Sequence, residues 1–466
     1  MIKIPAEVKQ IAEIFKKNNK TLYTVGGFNR DSYLGIQSLL RDDIDLCSNV
    51  KPKELFKMFE GTGFEIKNIN ESLGVMAIVG KKRYEHATFR KEYYETESHT
   101  PTKVEFINSL EEDAKRRDFR INAIYYNVSE NSFIDPLGGI DDLRERKITT
   151  VKPPKMVFND DPERILRLVR FASALGLSIP EEEMFYAKQN AYKIKFISKF
   201  RLRAEFERLL TADQMYPELT YTRDAHFRAM VLLGELDAWK DILPVMEDMK
   251  NTQVVDKKGE KIYDHILNCL KNASPKIRLA VLLHDAGKVK TLELNKRMFG
   301  AKEFVETIVN KNLGIDGLGY AKQVVSKVTK TIIGYDFNSW CLASKKAVKR
   351  FIFKNHDVIE NIIEIKNVAK SEGKGSLRKI RSAEILRKTY NEMLKEGAPF
   401  DLRDLKINGD DIIQAFPKIN LEYLDNLLDD LLFEAALCPK KNNKQELLVV
   451  ADKLIKSKRD IYLEFL

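Results

Sequence analysis

Two acidic residues, Asp43 and Asp45, are the first candidates for chemistry because a single residue separates them in the chain. On a β-strand, residues at this spacing point to the same face. Two carboxylates held side by side repel each other unless a cation lies between them. Hard oxygen ligands suit Mg²⁺, which usually keeps substrate phosphates and waters in its coordination shell. The pair therefore predicts a Mg²⁺ site for phosphate chemistry, and the polar face of an edge strand is the alternative.

A third carboxylate and a pair of glycines fit the same chemistry. Glu85 lies in a second strand-like stretch, where it would complete a two-metal site that activates a hydroxyl and stabilises phosphoryl transfer. Gly26 and Gly27 follow a short apolar run, and a backbone without Cβ atoms can approach phosphate oxygens closely. For the glycines alone, an ordinary turn is the alternative. His86 would face the opposite side of its strand, so we do not expect it to be a ligand.

The elements that must position these residues form a mixed α/β region followed by a helical one. An amphipathic helix is predicted over residues 1–20. Strands are predicted over residues 22–25, 44–47, 74–79 and 84–89. From about residue 155, apolar residues recur at helical spacing, with Asp160 and Asp161 placed to cap a helix that has Pro162 in its first turn. Helical patterns then continue to the end of the sequence.

Composition narrows the class of protein. The 466 residues are too many for one ordinary core, and 44% hydrophobic with 32% charged residues indicates folded, soluble domains. The net charge of +10 permits a polyanionic partner such as nucleic acid. No apolar run is long enough for a membrane span, and the first residues lack a secretory signal pattern. Four widely spaced cysteines argue against a disulfide framework or a structural zinc site, so we expect a reducing, cytoplasmic location.

Several motifs in a fixed order carry a family resemblance. They are Gly26-Gly27, Arg30-Asp31, Asp43-x-Asp45, Glu85-x-x-Thr88-Phe89-Arg90, Arg116-Arg117-Asp118-x-x-x-Asn122-Ala123, Asp135-Pro136-x-Gly138-Gly139 and Asp160-Asp161-Pro162-x-Arg164-Ile165-Leu166-Arg167-x-x-Arg170-Phe171. Over roughly residues 20–210 the chain resembles class II tRNA nucleotidyltransferases and bacterial poly(A) polymerases, which belong to the polymerase β superfamily. The resemblance implies an α+β fold, with a polymerase β-like head of mixed sheet and helices followed by all-helical domains. The implied domains are a head over 1–150, a neck over 151–215, an HD-like body over 216–345 and an RNA-binding tail over 346–466.

The resemblance also implies roles for individual residues. Asp43 and Asp45 would be the metal-binding catalytic carboxylates, and Glu85 the third acidic residue. The implied nucleotide-binding residues are Gly26, Gly27, Arg30, Asp31, Arg116, Arg117, Asp118, Asn122, Asp161, Arg164, Arg167 and Arg170. Asp161 and Arg164 match the pair that hydrogen-bonds the incoming base in this family. A helix cap and a surface ion pair are the alternative for these two residues.

This sequence departs from the family pattern at four positions. Asp160 replaces a glutamate, Arg120 replaces a threonine and Ser98 stands where arginine is frequent. Phe200 occupies a position that is usually acidic, which leaves Arg201 without its expected partner. The departures affect the expectations for base selection and neck geometry, and none removes a catalytic carboxylate. A mobile loop is expected over about residues 91–103.

A second metal site is suggested further along the chain. His284-Asp285, inside an apolar helical stretch, resembles the signature of HD phosphohydrolases, and His265 would be the upstream ligand. No histidine follows where such an enzyme needs one. A degenerate HD fold, with His284 and Asp285 hydrogen-bonded rather than metallated, is favoured over an active phosphohydrolase. Weak metal binding by His265, His284 and Asp285 is the alternative.

The resemblance favours addition of CCA to the 3′ end of tRNA from CTP and ATP, with Mg²⁺ as the cofactor. Poly(A) polymerase activity, partial CC or A addition, and an HD phosphohydrolase with a vestigial head remain alternatives, as does non-catalytic RNA binding. The tail is expected to follow an RNA backbone with basic residues. These are Lys345, Lys346, Lys349, Arg350, Lys366, Lys370, Lys374, Arg378, Lys379 and Arg381. The sequence leaves the oligomeric state open.

Overall fold

The computed structural model describes residues 2–36, 44–94, 102–252, 261–295, 302–336, 343–369 and 374–457. Contacts divide the chain into one unit of residues 1–247 with 317–319 and another of 248–316 with 320–466. The catalytic candidate Asp43 and the departure at Ser98 lie outside the described residues. The division into head, neck, body and tail stays a prediction.

The first unit is built on a twisted mixed sheet. Its strands are β1 (Tyr23–Val25), β2 (Asp45–Ser48), β3 (Glu65–Asn70), β4 (Val75–Val79), β5 (Arg83–Thr88), β8 (Tyr125–Asn127) and β9 (Ser132–Ile134), while β6 (Arg90–Tyr93) and β7 (Lys103–Phe106) form a separate pair. Among the described residues the large sheet has the order β3-β4-β5-β2-β1-β8-β9. β2 and β5 run parallel and the other neighbours antiparallel. β6 and β7 include residues at both ends of the expected mobile loop, and residues 95–101 lie outside the described residues.

Five helices precede, separate or follow these strands along the chain. They are α1 (Ala6–Lys17), α2 (Gly27–Tyr33), α3 (Pro52–Phe59), α4 (Leu110–Ala114) and α5 (Gly139–Arg144). In α1, Val8, Ile11 and Phe15 fall on one face at helical spacing and are buried. They pack in the sheet core with Leu46 and Tyr84 from β2 and β5. The predicted first helix and strands are therefore confirmed, with ends shifted by a few residues.

No strand follows Ile134 in the described part of the chain, which confirms the predicted change from a mixed to a helical fold. The first unit continues with α6 (Pro154–Asp160), α7 (Glu163–Leu175), α8 (Glu181–Asn190), α9 (Lys199–Leu210), α10 (Ala225–Glu235) and α11 (Trp239–Ile242), and α12 (Pro244–Asn251) crosses its boundary. The structure corrects the predicted start of α7, where Asp160 and Asp161 were expected to cap the helix. Asp160 is the last residue of α6, and Pro162 is the N-cap of α7. Gly176, with φ +64°, ends α7 in the left-handed conformation that glycine adopts without strain.

The second unit is helical throughout its described residues. Its helices are α13 (Ile262–Lys271), α14 (Arg278–Leu283), α15 (Ala286–Asn295), α16 (Lys302–Leu313), α17 (Lys322–Asp336), α18 (Lys345–Lys354), α19 (Ile359–Val368), α20 (Lys374–Lys395), α21 (Gly409–Ala415), α22 (Leu424–Leu437) and α23 (Lys444–Ser457). One apolar core joins α18, α19 and α20, and another joins α21, α22 and α23. None of the described helices is both long and apolar enough to cross a membrane.

Three of the tail lysines expected to face RNA point inward instead. Lys366 is fully buried and its Nζ donates to the backbone carbonyl of Tyr335 at 2.5 Å. Lys349 Nζ donates to Glu396, and Lys379 Nζ donates to the Tyr335 hydroxyl. The long aliphatic stem of lysine packs in an apolar core while its ammonium group reaches a polar partner, so helical spacing alone did not identify the exposed face. The members of the basic set that are exposed are Lys345, Lys346, Arg350, Arg378 and Arg381.

Candidate active site

The first unit contains a cleft of about 590 Å³, which is within the range for small-molecule sites. Most of the residues that line it are charged. They are Gly26, Gly27, Phe28, Arg30, Asp31, Asp45, Glu92, Arg116, Arg117, Asp118, Asn122, Asp161, Glu163, Arg164, Arg167, Arg170, Phe171, Arg201, Met215 and Tyr216. The lining includes every predicted nucleotide-binding residue and Asp45. Seven arginines among these described residues suit the cleft to a polyanion such as a triphosphate.

Asp45 lies at one end of the cleft, where the sheet places two acidic residues side by side. In the parallel pairing of β2 with β5, Leu46 lies opposite His86, so Asp45 and Glu85 are the preceding positions on each strand and share a sheet face. Both are exposed, although Glu85 is not part of the cleft lining. His86 faces the other side of the sheet, where it is buried at 2.8 Å from Ser48 Oγ, which confirms that it is not a candidate ligand.

Gly26 brings the backbone close to this carboxylate. Its φ of +84° lies in the region that favours glycine, and a Cβ atom there would lie 3.2 Å from Asp45 Oδ2. Gly27 then begins α2, as expected for a turn that leads from a strand into a helix. The two glycines therefore fit the predicted close approach of backbone to phosphate and carboxylate oxygens.

Arg30 and Asp31 belong to a buried network at the base of the cleft. Arg30 Nε donates to Asp31 at 2.8 Å, Nη1 donates to Asn122 at 2.5 Å and Nη2 donates to the Tyr216 hydroxyl at 2.6 Å. Burial opposes the charge of Arg30, but Tyr216 and Asp31 outweigh it, so its pKa lies above the ordinary value. These contacts fix the guanidinium in one position before any ligand arrives.

Asp113 organises the two arginines that follow it. Its carboxylate is fully buried and accepts from Arg116 Nε at 2.7 Å, from Arg117 Nη2 at 3.5 Å and from the Tyr125 hydroxyl at 2.7 Å. Burial raises the pKa of Asp113, but both guanidinium groups favour its ionised form and hold the pKa below the ordinary value. Arg116 also lies 3.4 Å from Glu92 on β6, which lines the cleft.

The helix α7 contributes two further arginines with carboxylate partners. Arg167 Nε donates to Asp118 at 2.7 Å, and Arg170 Nε donates to Glu205 at 2.9 Å. Burial opposes the ionisation of Asp118, but Arg167 lowers its pKa well below the ordinary range. Asp118 also accepts from Asn122 at 3.0 Å, which links this pair to the Arg30 network.

Arg164 lies in the first turn of α7, and Asp161 precedes that helix by two residues, where its backbone carbonyl accepts from the Arg164 N–H at 3.1 Å. Arg164 is buried, and its Nη2 donates to the backbone carbonyl of Arg116 at 3.0 Å, so the alternative of a surface ion pair is wrong. Among the described residues, Arg164 Nη1 is buried without any hydrogen-bond partner. Asp161 Oδ1 accepts from the Glu163 backbone at 3.0 Å, and Oδ2 lies 3.8 Å from Arg201. The pair therefore presents a donor and an acceptor at the cleft.

Arg201 has a partner that the sequence did not indicate. With Phe200 exposed in the usual acidic position, Arg201 forms an ion pair with Glu163 instead. The expectation of an unpaired Arg201 is therefore wrong, because the first residue of α7 supplies the missing charge.

Some residues that support the cleft were not predicted from the sequence. They include Glu92, Asp113, Glu163 and Tyr216. Asp113 precedes Arg116 and Arg117 by one helical turn, and this spacing was a usable signal. Tyr216 lies 186 residues from its partner Arg30, and no local pattern could have joined them.

The second predicted metal site forms a small cluster in the second unit. His265 and His284 approach each other with ring centroids 5.6 Å apart. Their nearest third ligand is Cys269, and the three ligand atoms lie within 4.8 Å of one another. The predicted third member Asp285 is not part of that group. It pairs with Lys288 at 2.6 Å, and its Oδ2 lies 3.8 Å from His284 Nε2.

Comparison with known proteins agrees with this geometry. The model of the Poly A polymerase head domain matches residues 22–149. The CCA-adding enzyme of Lactococcus lactis subsp. cremoris (strain SK11) is 31% identical over 291 residues, which cover 59% of this chain and 68% of that enzyme. The chain belongs to the CCA-adding enzyme family. Matches to further curated CCA-adding enzymes cover between 48% and 60% of their length.

Solved structures of the CCA-adding enzyme family share the fold. The Bacillus stearothermophilus CCA-adding enzyme in complex with CTP superposes with a TM-score of 0.66 at 22% identity, covering 97% of this chain and 98% of that one. The Thermotoga maritima CCA-adding enzyme complexed with tRNA gives 0.54 at 17% identity, covering 97% and 96%. The predicted fold class, a mixed-sheet head followed by helical domains, is thereby confirmed. Nucleotidyltransferases of this superfamily use divalent metal ions, and the exposed oxygen donors Asp45 and Glu85 fit such an ion.

Proposed function

We propose that this chain adds CCA to the 3′ end of tRNA without a nucleic-acid template, using CTP and ATP. The observation that carries the proposal is the pair at the start of α7, where the buried Arg164 Nη1 lacks a hydrogen-bond partner among the described residues and Asp161 precedes the helix by two residues. Leaving a buried donor unpaired costs about 1–3 kcal/mol, which a ligand that accepts its hydrogen bond would recover.

The proposed role of this pair is base selection. Cytosine and adenine each present an exocyclic amine beside a ring acceptor. The Asp161 carboxylate would accept from the amine, and Arg164 would donate to the acceptor, so one pair could select both nucleotides. The contact between Arg164 and the Arg116 carbonyl holds the guanidinium in place for either base.

Binding of the triphosphate would fall to Arg30, Arg116 and Arg117, which also line the cleft. Arg30 is fixed by Asp31 and Tyr216, while Asp113 orients Arg116 and Arg117. Arginine groups that are already oriented stabilise charge on phosphate oxygens without losing side-chain freedom during the reaction. The glycine turn at Gly26 leaves backbone space for the same oxygens.

We propose Mg²⁺ as the metal, held by Asp43, Asp45 and Glu85. When bound, Mg²⁺ would lower the pKa of the attacking 3′-hydroxyl and stabilise the in-line phosphoryl transition state. The protein contributes hard oxygen donors next to the cleft, and its arginines orient the leaving diphosphate.

Poly(A) polymerase remains the nearest alternative because it would use the same carboxylates and arginines. The curated relatives described above are named CCA-adding enzymes, which favours CCA addition. An HD phosphohydrolase is disfavoured because the third potential ligand beside His265 and His284 is a cysteine rather than a further histidine. A tRNA partner, recognised through shape and phosphates, and a cytoplasmic location complete the proposal.

End-sequencing of the product tests the proposal. The full chain is incubated with Mg²⁺, a tRNA transcript lacking CCA, and CTP, ATP or both, and a transcript already ending in CCA is the control substrate. We expect addition that stops after CCA when both nucleotides are present, and no extension of the control. A long A-tail on either transcript would replace the proposal with poly(A) polymerase activity.

A further inference from the structure

A cluster of three metal-binding side chains lies in the second unit, remote in sequence from every residue of the proposed nucleotide site. His265 and Cys269 stand one turn apart on α13, so both point to the same face of that helix. His284 follows directly after α14 as its C-cap residue. Their ligand atoms Sγ and two imidazole nitrogens all lie within 4.8 Å of one another. Two helix segments thus bring three ligand atoms to one point.

The hydrogen bond of His284 determines which of its two ring nitrogens is unprotonated and able to bind a metal ion. Nδ1 lies 2.6 Å from the Val281 backbone carbonyl, which can only accept, so Nδ1 carries the proton. Nε2 is therefore the unprotonated nitrogen, and among the described residues it has no hydrogen-bond partner. The His284 side chain is fully buried. This is the arrangement of a metal-binding histidine, whose second nitrogen is oriented by a backbone carbonyl.

The spacing of the other two ligands also fits a tetrahedral ion. Cys269 Sγ lies 3.5 Å from His265 Nε2. With Zn–S and Zn–N bonds of about 2.3 and 2.0 Å, the edge between sulfur and nitrogen in a tetrahedral site is about 3.5 Å. The observed separation of these two ligand atoms on α13 therefore fits a shared metal ion.

The ligand types select a soft ion rather than Mg²⁺. A thiolate with two imidazoles favours Zn²⁺, whereas Mg²⁺ prefers carboxylate and phosphate oxygens. Asp285, the acidic member of the HD-like pair, forms an ion pair with Lys288 at 2.6 Å. Its Oδ2 lies 3.8 Å from His284 Nε2, and its Oδ1 is buried without a hydrogen-bond partner among the described residues.

We propose that His265, Cys269 and His284 bind one Zn²⁺ ion that joins α13 to the end of α14. A water or the Asp285 carboxylate takes the fourth position. On binding, the Cys269 thiol releases its proton to solvent and a sulfur–zinc bond forms, with no change of oxidation state. The ion stabilises this helix pair and does not take part in nucleotide transfer, so the proposal stands independently of the proposed function.

Metal analysis of the purified full chain, produced without a histidine tag, tests the proposal. We expect about one zinc per chain after dialysis, and Cys269→Ser should reduce it to near zero. Cys438→Ser is the matched control, because Cys438 is a free, exposed cysteine outside the cluster, and it should retain the full zinc content. Equal zinc in the Cys269 variant and the wild type would overturn the proposal.

Zinc content and circular dichroism, measured together, distinguish loss of the metal ion from loss of folding in a variant. His356→Ala and His265→Ala are compared by zinc content and circular dichroism, since His356 lies outside the cluster and is bonded to the Phe353 carbonyl. Only the His265 variant should lose zinc while both keep their helical spectrum. Replacement of zinc by Co²⁺ should also produce a thiolate charge-transfer band that Cys269→Ser abolishes. A wild type that binds neither ion would show that Cys269 and His265 form only a hydrogen-bonded pair.

Discussion

The nucleotide cleft in the first unit and the histidine–cysteine cluster in the second differ in the charge of the side chains that form them. The cleft is open and its arginines are held by ionised carboxylates such as Asp113 and Asp118. The cluster is small and buried, and its ligands are two imidazoles and a thiol. A charged substrate that must enter and leave needs preformed charges, while a permanent ion needs ligands that are neutral or become anionic only when it binds.

The largest expected effect concerns the acidic end of the cleft. Asp45→Asn should lower the rate of nucleotide addition by about 10³-fold or more, because charge stabilisation at a reacting phosphate is lost. Since Asp45 is exposed, the melting temperature and the zinc content should stay unchanged. Glu65→Gln, an exposed acid on β3 of the same sheet, is the control. Full activity in the Asp45 variant would remove the metal assignment and with it the contrast between the two sites.

The next effect concerns the buried acid that holds the arginines. Asp113→Asn should reduce the free energy of unfolding by roughly 1.5–3 kcal/mol, because the partly buried Arg116 and Arg117 lose the buried carboxylate that accepts their hydrogen bonds. Asp141→Asn is the matched control, since Asp141 pairs with Arg144 at 3.0 Å on the surface and should change stability by less than about 1 kcal/mol. Denaturant unfolding measures both variants. Equal stability would mean that the ion network does not support the cleft.

A smaller effect is expected at the base-selecting pair. Asp161→Ala should weaken discrimination of CTP and ATP against UTP and GTP by about 1–3 kcal/mol, the range for one well-placed pair of base contacts. Binding of the triphosphate should change less, because the arginines that face it remain. Competition assays with all four nucleotides measure the ratio. Unchanged selectivity would assign base choice to another part of the chain.

The smallest effect concerns acid. The pKa values of Asp113 and Glu205 are held below their ordinary values because nearby guanidinium groups outweigh burial. In the unfolded chain these carboxyls take up protons near pH 4, whereas the folded chain resists protonation. Their contribution to stability is therefore fully present above that pH and is lost as the pH falls through the folded pKa, by up to about 1.4 kcal/mol per unit for each group.

Fluorescence of the buried Trp239 in the first unit reports this acid effect. The only other tryptophan of the sequence is removed by Trp340→Phe. We expect the acid transition to become shallower in Asp113→Asn, since one of the depressed carboxyls is gone. An identical pH dependence would show that these ion pairs do not control acid unfolding.

The residues that line the cleft were predicted in two ways. Gly26 and Asp45 were proposed from local patterns at a turn and at a strand, whereas Arg116 and Arg164 were proposed from the family resemblance of the ordered motifs, and all four line the cleft. The mixed sheet was predicted only in part. β3 reads as exposed polar residues, and β8 and β9 are three residues each, too short for a periodic signal.

Contacts between distant segments account for what was missed. Tyr216 reaches Arg30, and Glu163 replaces the expected partner of Arg201, through packing that no single segment encodes. Cys269, in contrast, was missed although a local pattern could have identified it. Cys269 follows His265 by four residues on a predicted helix, a pattern that indicates a shared ligand face, yet the HD-like motif drew attention to Asp285 instead.

The absence of a side chain at Gly26 has a consequence for the position of Asp45. A methyl group on Gly26 would lie 3.2 Å from Asp45 Oδ2, which is closer than an ordinary van der Waals contact, so the carboxylate would have to shift by a few tenths of an ångström. Alanine would also strain the turn, because the φ of Gly26 is +84°. We therefore expect tolerance to substitution to be lower at Gly26 than at most other loop positions of the head.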